Sequence, residues 1–156
     1  MATLKTQGTE LFLLDPDGDV VLAVACVTSI DGVDITREVL ENTCLEASTR
    51  TYEGGILTPG TPSFGLNFDP ARTSHLRIEE LLQSGVEVPW AIGCSDGTAD
   101  PTVDSTGSEF DFPTTRTYIA FRAFVTAFPF PFPANEILRS TITLQMSGPR
   151  ALIPKV

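Results

Sequence analysis

The chain has 156 residues, 42% of them hydrophobic, with 20 acidic and 10 basic side chains and a formal net charge of −10. That length and hydrophobicity suit one folded domain with its own core and exclude a disordered chain. The shortage of Lys and Arg excludes a protein that grips nucleic acid by its phosphates, but not one that DNA slides past, for which a like-charged wall prevents sticking.

The N-terminal stretch MATLKTQGTELFLL has one Lys, no long apolar run and no small-residue cleavage site, so no secretory signal is expected. Leu11 to Leu14 reads as a strand ending in Asp15-Pro16-Asp17-Gly18. In such a turn Pro presets φ and Gly accepts a positive φ. Asp19 to Thr28 reads as one long valine-rich strand, which completes a first hairpin. Asp31-Gly32 is another turn, and Val33 to Ser48 is ambiguous between a helical turn and a short strand. Residues 49–61 are rich in Gly and Pro and read as a long loop.

Ser63 to Phe68 alternates, with Phe64, Leu66 and Phe68 on one face, which marks a half-buried strand. Thr73 to Ser84 reads as a helix. Ile78, Leu81 and Leu82 form its apolar stripe, Thr73 or Ser74 its cap, and Gly85 its C-terminal stop. Val86 to Cys94 reads as a strand that Pro89 pushes toward an edge or a bulge. Residues 95–115 read as a long polar loop, and Glu87 to Asp111 hold six acids and no base, a local negative patch. Arg116 to Phe128 is the longest strand candidate. It is apolar on both faces, with Ile119, Phe121 and Val125 on one and Tyr118, Phe124 and Phe128 on the other, as expected for a core or interface strand. The prolines of Phe128 to Pro133 (FPFPFP) remove ladder donors and make an extended corner. Arg139 to Ser147 alternates again and is expected to end at Gly148-Pro149.

Little here supports chemistry. The one histidine, His75, reads as a surface or cap residue on the helix, and no Gly-x-Ser-x-Gly elbow accompanies it. Cys26, Cys44 and Cys94 are an odd set at wide spacing that reads as free thiols in a reducing cytosol, not as a disulfide framework or zinc knuckle. Asp15, Asp17 and Asp19 lack the Gly and Glu positions of a calcium loop. Glu79-Glu80 point in adjacent helix directions and suit a solvated face. No run of about 18 apolar residues is present, so no membrane span is expected. No catalytic, cofactor or metal site is therefore expected. The eight Arg against two Lys suit ion pairs across subunit contacts. Candidate interface residues are Arg50, Tyr52, Ile56 and Leu57 in the Gly/Pro segment and Arg116, Phe121 and Phe124 on the aromatic strand.

The order of these segments resembles the tail tube proteins, or major tail proteins, of long-tailed, non-contractile phages. The matching features begin with Gly8-Thr9 leading into the first hairpin, Ile35-Thr36 ahead of Arg37, and the Gly/Pro segment closing on Ser63-Phe64-Gly65-Leu66-Asn67-Phe68-Asp69-Pro70. They continue through the helix ending at Ser84-Gly85, Trp90-Ala91-Ile92-Gly93, the Ser95-Asp96-Gly97 turn, the strand around Phe121 to Phe128, and Ile142 to Pro149. The acidic 95–115 segment and the FPFPFP corner depart from the pattern, and an appended immunoglobulin-like domain is not expected.

The resemblance implies a mainly β fold, a two-sheet sandwich or barrel with one short flanking helix, as a single domain over residues 1–156. It implies a non-enzymatic subunit that assembles with itself into stacked hexameric rings, with inner sheets joined around a lumen. It also implies a tape measure protein in that lumen during assembly, tail terminator and tail-tip proteins at the ends, and DNA passing through without specific binding. Assembly would occur in the host cytoplasm and the product would reside in the virion. A β-sandwich adhesion module is the alternative, although Trp90, Tyr52 and Tyr118 are few aromatics for sugar binding.

Overall fold

Seven of the strands form one sheet. The computed structural model describes residues 3–17 and 20–156. In chain order the elements are β1 (Glu10–Asp15), β2 (Val20–Ala23), β3 (Val27–Asp31), β4 (Ile35–Glu41), β5 (Tyr52–Pro59), β6 (Ser63–Asn67) and α1 (Thr73–Ser84). They continue with β7 (Val88–Gly93), β8 (Thr102–Val103), β9 (Phe110–Asp111), β10 (Tyr118–Ala127) and β11 (Arg139–Ile153). The sheet runs in the order β2-β1-β7-β10-β11-β6-β3, and all its pairings are antiparallel. The strands β4 and β5 pair only with each other, as do β8 and β9.

The expected single strand from Asp19 to Thr28 is broken. Cys26 takes a left-handed φ of 58°, which ends the extended run. Its two halves, β2 and β3, then occupy opposite edges of the sheet. Because four peptide steps link Ala23 to Val27, these edges lie within about 15 Å of each other. That short tether forces the sheet to curl into a half-barrel. Gly18, the end of the predicted turn, and Asp19, the first residue of that predicted strand, lie outside the described residues.

One face of the curl holds the main core: Leu11, Leu13, Phe64, Leu66, Val88, Trp90, Phe121, Ala123, Val125, Ile142, Leu144 and Met146, with Ile78 and Leu81 from α1. The helix spans the predicted residues, and Gly85 closes it with φ 69°. Its N-terminus corrects the expected cap. Arg72 is the capping residue and makes no side-chain cap bond, while the Ser74 hydroxyl accepts from the Ala25 amide at 3.4 Å. His75 is also a correction, since it is fully buried. It accepts from the Asp69 amide at Nδ1 (3.1 Å), which leaves Nε2–H to donate to the Ala25 carbonyl at 2.7 Å. The two bonds to Ala25 anchor the helix to the β2–β3 link.

Pro89 sits in a central strand, not at an edge. The registered pairs of β7 with β1 stop at Leu13↔Trp90, so the proline falls one residue beyond the point where β1 needs a donor. On β10, Phe121, Val125 and Ile119 join the main core while Tyr118 packs on the other face with Phe12 and Ala91. A register shift between Val125 and Ala127 swings Phe128 into the main core, against its sequence parity. The longest strand is β11, which continues past Gly148-Pro149. Gly148 adopts φ 81°, and the pairs Arg122↔Ser147 and Ala120↔Ala151 show the Gly-Pro residues looped out as a bulge.

Candidate assembly surfaces

The predicted loop at residues 49–61 is instead the second strand of a hairpin arm. Its partner β4 comes from the stretch whose conformation is ambiguous in sequence. Thr58 pairs with Thr36 and Tyr52 with Glu41, and the two residues Gly55-Ile56 stand opposite the single residue Glu38 between Arg37 and Val39. That bulge shifts the side-chain alternation, so Ile35, Val39, Tyr52 and Leu57 share one face of the ribbon despite their mixed spacing. Gly54 leaves room for Arg37: a Cβ there would lie 2.8 Å from Arg37 Cδ. The Arg37 guanidinium meanwhile donates to the Gly55 carbonyl at 2.8 Å. At the tip, Thr51 and Asn42 bond each other through backbone and side chain.

Most of the arm's apolar surface is uncovered. Val39 is 69% exposed, Ile56 77%, Tyr52 54% and Leu57 43%. Arg50 is exposed as well, beside Glu41 at 3.9 Å. Among the described residues, the arm has no packed layer of its own. A lone two-stranded ribbon is at best marginally stable in water, and grouped exposed apolar side chains mark an interaction surface. Val39 and Leu40 belong to this surface but escape the sequence reading, because β4 carries charges among its apolar residues.

The other three interface candidates sit elsewhere. Phe121 is a core residue packed with Trp90 and its neighbours. Phe124 is half-buried on β10. Arg116 is fully buried and serves its own subunit. Its guanidinium donates to the carbonyls of Cys94 (2.7 Å), Ala99 (3.1 Å), Gly8 (3.2 Å) and Gly93 (3.0 Å), and lies 3.5 Å from Glu10. Gly93 makes room for this group, since a Cβ there would meet Arg116 Cζ at 2.7 Å. A planar fork with five donors can gather several carbonyls in this way, which a lysine cannot. The arrangement ties the N-terminal segment, β7 and the acidic segment together.

The acidic segment is correspondingly more ordered than a polar loop. Within it β8 and β9 pair, and Phe110 and Phe112 cover Tyr118. Asp96 accepts from the Thr117 hydroxyl (2.6 Å) and amide (3.0 Å), and these bonds hold its carboxyl below the usual range. Lys155 near the C-terminus donates to the Asp96 carbonyl at 3.0 Å.

The remaining polar groups are occupied structurally. Arg77 bridges Asp15 (2.9 Å), Asp17 (2.9 Å) and Glu80 (2.6 Å), with Glu80 contributing most to holding its proton. Glu79 accepts from Gln83. Cys26 and Cys44 are exposed, and Cys94 is partly buried with its thiol pushed up by burial. No helix of the described residues is long and apolar enough to cross a membrane.

The decisive observation is that a phage tail tube family, lambda-like, matches residues 2–156. The chain belongs to that family. It is a structural tail tube protein, and the family is not one of enzymes. "Structural protein 3" of Pseudomonas phage PAJU2 is 42% identical over 155 residues, which cover 97% of this chain and 94% of that one. The fold is similar to the SPP1 tail tube, with a TM-score of 0.72 at 10% identity over 99% of this chain and 81% of that one. It is also similar to the tail of an empty gene transfer agent particle refined with C6 symmetry, with a TM-score of 0.68 at 12% identity over 96% of this chain and 98% of that one. These likenesses agree with the expected mainly β, barrel-like fold with one flanking helix and do not favour the adhesion module.

Proposed function

We propose that this tail tube protein assembles as a single domain over residues 1–156 into hexameric rings that stack head-to-tail into the tube of a long, non-contractile tail. The observation that carries the reading is the β4–β5 arm, an apolar ribbon uncovered in the single subunit. The similarity of the fold to a tail with C6 symmetry supports six subunits per ring. Joining β2 of one subunit to β3 of the next would also remove the two free edges of the sheet, which otherwise invite uncontrolled pairing. In this reading the tape measure protein occupies the lumen during assembly in the host cytoplasm. Terminator and tip proteins close the ends, and DNA later passes through on its way into the host. The formal charge of −10 supports a net-negative, non-stick inner wall.

The arm orders against the next ring. Removing only residues 49–61 would leave β4 without its partner, so the appropriate deletion takes 35–59 together. The expected product is a folded monomer by circular dichroism and sedimentation that forms no tubes by negative-stain microscopy. Tubes of normal length from the deleted protein would refute the arm's role. A map of the assembled tube with a mainly basic inner wall would refute the charge reading.

A further inference from the structure

We propose that the FPFPFP corner is a plug that inserts into the open mouth of a subunit in the adjacent ring, with Phe132 as its tip. The inference rests on the head-to-tail stacking proposed above and names a second contact within it, separate from the arm.

The register places the two partners at opposite ends of the sheet. The corner leaves β10 after Ala127 and returns at Arg139, which pairs with Asn67 at the end of β6. Phe128 and Phe130 anchor it by packing against Phe68, and the Ser140 hydroxyl donates to the Pro129 carbonyl. Beyond these anchors the chain presents Phe132 at 81% exposure and Ile137 at 61%. The prolines hold this prong extended, so little backbone entropy remains to be lost on docking.

At the other end, where β7 finishes at Gly93 and β10 begins at Tyr118, the half-barrel is open. A cavity of about 550 Å³ lies there, between the N-terminal segment and the residues following Val27. Leu4, Ile30, Val33, Ile92 and Ile119 form the apolar part of its lining, Thr6, Gln7, Thr28 and Ser29 contribute to a polar part of similar extent, and Cys94 reaches it. The volume exceeds that of a phenyl ring several times over. A prong at one end and a socket at the other form a heterologous pair, the kind that propagates as a stack and does not close on itself.

Charge argues for a second copy as the occupant. Exposed Glu136 and Arg139 flank the prong, while exposed Lys5 lies at the socket with Asp31 and Asp34. Among the described residues none of these five makes an ion pair within the subunit. Docking prong to socket opposes Arg139 to the aspartates and Glu136 to Lys5. The arm departs from the socket end, after Asp31, so both contacts reach the same neighbouring ring.

The test uses the full chain with exposed Cys26 and Cys44 changed to Ser. With Ala134→Cys added in the exposed corner beside the tip, assembled tubes are treated with a short bis-maleimide. The reagent should join the thiol introduced at position 134 to Cys94 of another copy, giving cross-linked ladders that vanish when Cys94→Ser is also present. In parallel, Phe132→Asp in the natural sequence should shorten tubes at least tenfold by negative stain while single rings persist, and Phe132→Leu should restore them. Tubes of normal length from Phe132→Asp, or no Cys94-dependent cross-link in intact tubes, would overturn the plug. Loss of rings along with stacks would assign Phe132 to a lateral contact and overturn it too. A natural sequence that forms neither rings nor tubes would instead overturn the stacking reading on which the plug depends.

Discussion

The half-barrel and the β4–β5 arm use the same kinds of side chain in opposite ways. In the half-barrel, Leu13, Leu66, Trp90 and Ile142 are wholly withdrawn from water. In the arm, Val39, Tyr52, Ile56 and Leu57 remain in it. Burial of a side chain of this size stabilises by about 1.5–3 kcal/mol, so the first group holds the subunit together and the second holds that free energy in reserve for association. Folding and assembly are therefore separable in this chain. Substitutions should sort cleanly into those that unfold the monomer and those that only disarm it.

The most severe substitutions lie in the core. Trp90 packs at 5.7 Å from Phe64, and its indole donates to the Ala123 carbonyl at 3.2 Å. Trp90→Ala should destabilise the monomer by about 3–5 kcal/mol in chemical denaturation, from lost contacts and the cavity left behind. Rings and tubes should disappear as a consequence. Arg116→Ala comes next, at about 2–4 kcal/mol, because it leaves buried carbonyls without donors. Arg116→Lys should recover only part of that loss, since an ammonium cannot reproduce the fork. A wild-type denaturation midpoint for Arg116→Ala would show that this residue is free to serve an interface after all.

How far the sequence foretells these regions depends on whether the deciding signal is local. The helix is legible from its 3.6-residue stripe and from Gly85, and β6 from strict alternation. The arm is not, because Gly54, Gly55 and Pro59 are poor strand formers that read as loop. Its pairing with β4 is a decision made by the partner strand, not by β5 alone. The break at Cys26 hides inside a continuous valine-rich run, since a single left-handed residue leaves no mark in hydrophobic periodicity. Two fully buried polar residues, His75 and Arg116, escape a sequence reading for one reason: their satisfaction depends on carbonyls distant in sequence. Ala25 lies fifty positions from His75, and Gly8 lies 108 from Arg116.

On the arm the balance should reverse. Ile56→Ser removes an exposed apolar group, so the monomer should change by no more than about 0.5 kcal/mol. Tube formation should nevertheless fall sharply, read as a rise in the concentration needed for assembly. Combining Ile56→Ser with Leu57→Ser should raise that threshold further. A large loss of monomer stability with unchanged assembly would erase the distinction between the two regions.

The mildest change is expected at Asp96, which belongs to the half-barrel's base but lies near its surface. Its carboxyl is held below the usual range by the Thr117 hydroxyl first and the Thr117 amide second. A carboxylate whose folded value is depressed contributes stability above its unfolded value, near pH 4, and that contribution is lost as pH falls through the lower folded value. Wild-type protein should therefore lose stability on acidification below about pH 4. Asp96→Asn should start slightly less stable at neutral pH and show a shallower acid decline. Because the carboxylate clamps Thr117, whose hydroxyl also accepts from the Lys155 amide at 3.1 Å, the first protons to exchange faster in the variant should be those of residues 117 and 155. Identical acid profiles for the two proteins would mean that the bonds of Lys155 to the Thr117 hydroxyl and the Asp96 carbonyl hold the C-terminal segment without help from the Asp96 carboxylate.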